Sequence, residues 1–172
     1  MAQEYEKKEL RQHIYDTPDT YVGGIETISV TQPILNDKTI FYKEIEIIPA
    51  LLNIFNEILV NARDQIVRLN QLHEKDNSIQ KVTNIKITIT DKNITITNDG
   101  EGISVKIHNK EKIHIPQLIF GELLTSSNYN KDEKKIVGGR NGYGAKLVNI
   151  FSESFTLTTV DRIGEKKYNQ TW

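Results

Sequence analysis

Cysteine is absent from the 172 residues, which excludes a disulfide scaffold, a zinc ribbon and a thiol nucleophile. No apolar run approaches the ~18 residues of a membrane-spanning helix. The opening Met1-Ala2-Gln3-Glu4-Tyr5-Glu6-Lys7-Lys8 lacks the apolar core of a secretory signal. An intracellular chain with no membrane partner is the expectation. Excess charge of one sign is missing as well. With 22 Lys and Arg against 23 Asp and Glu, the net charge is −1, so there is no bulk attraction to a nucleic-acid backbone. Any grip on DNA has to lie outside this segment. Repeats and low-complexity tracts are also lacking. What is present suits one domain: 37% hydrophobic residues can furnish a core, and 26% charged residues a solvated surface.

Residues 1–16 form a charged arm that could carry a short helix, and Thr17-Pro18-Asp19-Thr20-Tyr21-Val22-Gly23-Gly24 reads as a turn. Strand-like runs follow at Glu26–Thr31 and Thr39–Ile47, around an Asn36-Asp37-Lys38 turn. Pro49 opens the longest helical pattern. Leu52, Phe55, Leu59, Ala62, Ile66 and Leu69 recur at spacings of three and four, which predicts one buried face on a helix over about 49–72. Alternation in Val82–Thr90 and Asn93–Thr97 predicts a hairpin with Ile85, Ile87 and Ile89 on one buried face. Pro116–Leu124 and Ala145–Phe151 read as short helices, and Phe155–Val160 with Lys167–Trp172 as a hairpin. Between the two helices lies Ser126–Gly144, a loop long enough to suggest function. Four of the chain's ten glycines fall within Gly138–Gly144.

Three constellations can carry chemistry. Glu57 and Asn61 are one turn apart on a helix beside its apolar stripe, with Asp64 roughly in line. A polar helix edge would look the same. The alternative is a carboxylate that accepts a proton from water, beside an amide whose oxygen suits magnesium. The second constellation is Asn98-Asp99-Gly100-Glu101-Gly102 at a strand end. Its glycines let backbone approach a flat ligand, and the Asn98 amide oxygen could accept from an exocyclic amine. A plain Asx-Gly turn would share this pattern. The third is Gly138-Gly139-Arg140-Asn141-Gly142-Tyr143-Gly144-Ala145-Lys146, running into a helix. Exposed amides, a helix N-terminus and Lys146 can together hold anionic oxygens. It is neither a Walker A loop nor the dinucleotide fingerprint. Ser126-Ser127-Asn128, about ten residues earlier, suits ribose or phosphate contacts and equally suits a turn.

The order of these elements is more telling than any one of them. Taken together they resemble the GHKL (Bergerat) ATPase superfamily. More narrowly, Glu57-Ile58-Leu59-Val60-Asn61-Ala62, Leu123-Leu124-Thr125-Ser126-Ser127-Asn128-Tyr129 and Gly138 through Leu147 resemble the ATPase domain of eukaryotic-type type II DNA topoisomerases. Pro18-Asp19-Thr20-Tyr21 and Gln170-Thr171-Trp172 also fit, so the likeness runs from about Tyr5 to the end.

The resemblance implies an α+β two-layer sandwich, a mixed sheet with helices on one face. It implies an N-terminal arm and turn over 1–23 and a GHKL domain over 24–172, incomplete at its C-terminal end. ATP with Mg2+ would lie between helix 49–72 and a lid at 126–146. Glu57 would be the general base and Asn61 the magnesium ligand. Asn98 would read adenine, as Asn does in the topoisomerase branch. Ser126, Ser127 and Asn128 would contact ribose and phosphate. Gly139, Arg140, Asn141, Gly142, Tyr143, Gly144, Ala145 and Lys146 would wrap the phosphates. Tyr5 would reach the partner's nucleotide in a homodimer. DNA would be bound by regions of the parent outside this segment, which itself would bind ATP but turn it over weakly without a transducer lysine. The nucleus is the expected location, or the cytoplasmic replication site if the source is viral. Arg63 and Gln65 depart from the small residue and the amide usual beside the metal helix, and Gly24 and Glu101 are milder changes. A GHKL chaperone or repair clamp, and a nucleotide-free scaffold, are the rival readings.

Overall fold

Local pairing dominates the architecture. The computed structural model describes residues 7–123 and 143–172, and the chain divides into two compact units, Met1–Ile54 and Phe55–Trp172.

In the first unit, helices α1 (Leu10–Asp16) and α2 (Pro18–Val22) precede a hairpin of β1 (Ile28–Asn36) and β2 (Thr39–Ile47). The expected turn at 17–24 is in fact the short helix α2, because Pro18 at its first position is preset for helical φ. Thr17 closes α1, its hydroxyl donating to the His13 carbonyl at 2.6 Å. Strand β1 runs well past Thr31. Pro33 pairs opposite Tyr42 without breaking the ladder, since the strands of a two-stranded ribbon have an outer edge where proline is tolerated. Asp37, at positive φ, makes the turn. Ile14, Val22 and Ala50 are buried.

Helix α3 (Pro49–Lys75) is longer than its apolar stripe suggests, and the boundary between the units falls within it. Ala62 and Leu69 are buried, whereas Leu52, on the same predicted face, is exposed.

The second unit adds β3 (Ile85–Ile89), β4 (Ile94–Asn98), α4 (Ile115–Gly121), α5 (Gly144–Phe151), β5 (Thr156–Asp161) and β6 (Lys166–Thr171). The expected combination of helices and strands is present. Among the described residues, the strands pair as three antiparallel two-stranded ladders, β1–β2, β3–β4 and β5–β6, as short connecting turns favour. Strand β3 starts three residues later than its alternation suggests, for a visible reason. The Asp99 carboxylate accepts from the amides of Thr83 and Asn84 at 2.7 and 2.9 Å, taking the place of a partner strand. The Ile85–Ile87–Ile89 face is not buried as its alternation predicts: Ile85 is half-buried, and Ile87 and Ile89 are 41% and 64% exposed. The core gathers around α5, where every residue from Ala145 to Ile150 is buried. Phe120 stacks on Phe155 at a centroid distance of 5.9 Å, and Trp172 packs on Phe155 at a tilt, 5.7 Å away.

Candidate functional site

Glu57, Asn61 and Gln65 recur every fourth residue of α3 and so share one line along the helix. The Asn61 side-chain amide donates to the Glu57 carbonyl at 2.5 Å. With its nitrogen committed to backbone, the Asn61 oxygen is the atom left for a ligand. Gln65 is held in the same way. Its oxygen accepts from Arg68 Nε and Nη2 at 3.0 and 2.9 Å, and its nitrogen donates to the Glu101 carbonyl at 3.1 Å. Gln65 thereby ties the helix to the strand-end turn.

That turn begins at the end of β4. Asn98 donates its side-chain amide to the Asp99 carbonyl at 2.9 Å, which fixes the amide and leaves Oδ1 as its acceptor. Asp99 is not a ligand-reading group, because its carboxylate is used by Thr83 and Asn84. The Thr83 hydroxyl, first, and these backbone amides hold it below the usual carboxylate range. Gly100 sits at φ +92°, where a Cβ would come within 2.8 Å of the Lys81 carbonyl, so no other residue fits.

The third element is the start of α5. Gly144 packs directly on Glu57: a Cβ there would overlap the Glu57 carboxylate. The Tyr143 side chain makes no capping bond at the α5 N-terminus, and the positive potential of a helix N-terminus favours an anion. Partial burial raises the Glu57 carboxyl above its ordinary pKa. Lys146, one turn into the core, is 5% exposed, and desolvation pushes its ammonium pKa down to about 8. A buried cation whose charge is disfavoured gains most when an anion arrives. Ala145 is buried and Tyr143 half-buried.

The fold thus brings Gly144 against Glu57, far from it in sequence and one helical turn from Asn61, and links Asn98 to α3 through Gln65 and Glu101. Tyr5, Ser126, Ser127, Asn128, Gly139, Arg140, Asn141 and Gly142 lie outside the described residues. Among the described residues, no group of three His, Cys, Asp or Glu could cage a metal by itself. The hard amide oxygen of Asn61 fits magnesium shared with phosphate oxygens and retained waters. The sequence reading notes Glu101 only as a mild departure within the turn, and it does not single out its partner Arg162.

Residues 47–168 match the family described as histidine kinase-, DNA gyrase B-, and HSP90-like ATPase. DNA topoisomerase 2 of Meyerozyma guilliermondii is 50% identical over 99% of this chain. The Saccharomyces cerevisiae enzyme is 47% identical over 99% of it, and human DNA topoisomerase 2-alpha 47% over 98%. The chain spans only 10–12% of the length of these relatives. Among solved structures, the ATPase region of Saccharomyces cerevisiae topoisomerase II superimposes with a TM-score of 0.85 at 44% identity, covering all of this chain and 44% of that one. The ATPase and transducer domains of Balamuthia mandrillaris DNA topoisomerase II give 0.81 at 40% identity, covering 99% and 42%. With residues 47–168, more than half of its length, matching that model, the chain belongs to the histidine kinase-, DNA gyrase B- and HSP90-like ATPase family.

Proposed function

We propose that this chain binds ATP with Mg2+ and is part of the ATPase machinery of a type II DNA topoisomerase. The observation that carries the reading is the junction of Glu57 with Gly144. It sets a proton acceptor beside the end of a glycine-rich, phosphate-wrapping loop. The α5 amides and Lys146 hold the phosphates, and Asn98 Oδ1 accepts from the adenine amine. Asn61 Oδ1 would hold magnesium, which would supply charge neutralisation on the phosphates. Ser126, Ser127 and Asn128 add ribose and phosphate contacts, and Tyr5 reaches a partner's nucleotide. In hydrolysis, Glu57 takes a proton from water as the water oxygen bonds to the γ-phosphorus and the bond to the ADP oxygen breaks. The rest is positioning and charge stabilisation. In the parent protein, two such domains dimerise on ATP to close a gate through which a DNA duplex passes. Its place of work is the nucleus, or a viral replication site.

The test is Glu57→Gln. The variant keeps a non-hydrolysable ATP analogue bound with unchanged affinity, while hydrolysis in a protein that includes this domain falls ~10²–10⁴-fold. Unchanged turnover would remove Glu57 from its role. Calorimetry showing no binding of the analogue with Mg2+ by the wild-type chain would remove the site.

A further inference from the structure

We propose that Glu101 and Arg162 are positioning residues for base recognition, an ion pair that fixes the Asn98–Gly102 turn relative to α3. The proposal rests on the ATP-site reading and extends it to residues outside the nucleotide contacts.

Glu101 is 6% exposed although it lies in a loop. Its carboxylate accepts from the Arg162 amide at 3.0 Å, the Ile163 amide at 3.4 Å and Arg162 Nε at 3.3 Å. Its own backbone is held on both sides. The amide donates to the Gln80 carbonyl at 2.9 Å, and the carbonyl accepts from Gln65 at 3.1 Å. Arg162 is the second anchor: its Nη2 donates to the Ser78 carbonyl at 2.6 Å. The loop leading from Ser78 reaches Lys81, whose carbonyl lies under Gly100. Glu101 thus connects α3, the strand-end turn and the β5–β6 turn.

The next residues are strapped to β5 by side chains instead of a backbone ladder. Ile103 donates its amide to Thr159 Oγ1 at 2.9 Å, and Val105 donates to Asp161 Oδ2 at 2.8 Å. Asn98 stands just upstream of this strapped segment, with Gly100 as the pivot between them. Releasing Glu101 therefore frees the Asn98 amide from its bearing on α3. The phosphate-binding end, Gly144 to Lys146 on α5, does not depend on that latch. Loss of the pair should erode discrimination between bases and spare the contribution of the phosphates. A pair whose only role is stability would not divide the two.

The experiment compares wild type, Glu101→Gln, Arg162→Gln and Arg162→Lys in the 172-residue chain. Calorimetric affinities for non-hydrolysable ATP and GTP analogues are measured with Mg2+, and circular dichroism gives the folded fraction. We expect the ATP-to-GTP affinity ratio to fall about five-fold or more in Glu101→Gln and Arg162→Gln, the scale of one misplaced hydrogen bond. Arg162→Lys should retain most of it, and GTP-analogue affinity should stay nearly constant. If Glu101→Gln does not fold, Arg162→Gln, which alters the more exposed partner, decides the matter. An unchanged ratio, or a parallel loss of both affinities, overturns the latch while leaving the ATP site intact. A wild-type chain that binds neither analogue overturns the ATP site and the latch with it.

Discussion

Burial of the Lys146 ammonium couples the fold to pH. Its pKa in the fold is about 8, against 10.5 for the ordinary group. Between these values the unfolded chain binds more protons than the native one, so this group makes stability rise with pH across that window. The total is on the order of 3 kcal/mol at ~1.36 kcal/mol per pKa unit. Lys146→Met should flatten that rise in urea titrations at pH 8 and pH 10; an identical slope in both proteins would contradict it. An arriving triphosphate favours the charged form, so analogue binding at pH 8–9 should take up a proton. Calorimetry in two buffers of different ionisation enthalpy measures it. Asn61 belongs to the same scale. Its amide nitrogen is spent on the Glu57 carbonyl, so Asn61→Ala should abolish the magnesium dependence of analogue binding. Equal magnesium dependence in variant and wild type would assign the metal elsewhere.

At the scale of elements, the segment after β4 is held closely against β5. A Cβ on Gly102 would fall on the Val160 carbonyl and within 2.8 Å of Thr159 Oγ1. Gly102→Ala must therefore push the segment off β5, at about 1–3 kcal/mol by the usual cost of overpacking. Urea denaturation checks this, and a midpoint equal to wild type would show that the strand yields freely. The sequence foretold elements with strong periodicity. The three- and four-residue spacing through Leu69 marked α3, and alternation marked the β3–β4 hairpin. It failed where side chains replaced backbone partners. Asp99 shortens β3 by capturing the Thr83 and Asn84 amides, and no hydropathy pattern records that. Pro18 looked like turn punctuation beside Gly23 and Gly24, yet it opened α2. The Glu57–Asn61 pair was legible because a helix converts spacing into a shared face. The packing of Gly144 on Glu57 was not, because no local rule joins residues so far apart. The Arg162 anchor was hidden for the same reason.

For the whole molecule, a ligand seated as proposed stabilises only what touches it. A Mg2+–ATP analogue at a hundred times its dissociation constant should add about 2.7 kcal/mol. Amide exchange should slow in residues 57–65, 98–105 and 143–150, while the β1–β2 hairpin of the first unit keeps its rate. Uniform slowing in both units would point to a different mode of binding. One last feature bears on how such events can be watched. Trp172 is the chain's single tryptophan. Its indole presses on Gly121, at the end of α4, so closely that a Cβ there would lie 2.9 Å from Nε1. α4 is in turn joined to α5 by the Asn149 amide on the Phe120 carbonyl. The chain's one tryptophan therefore rests against the helix that precedes residues 124–142, and its emission offers a signal from that helix without any dye or engineered label.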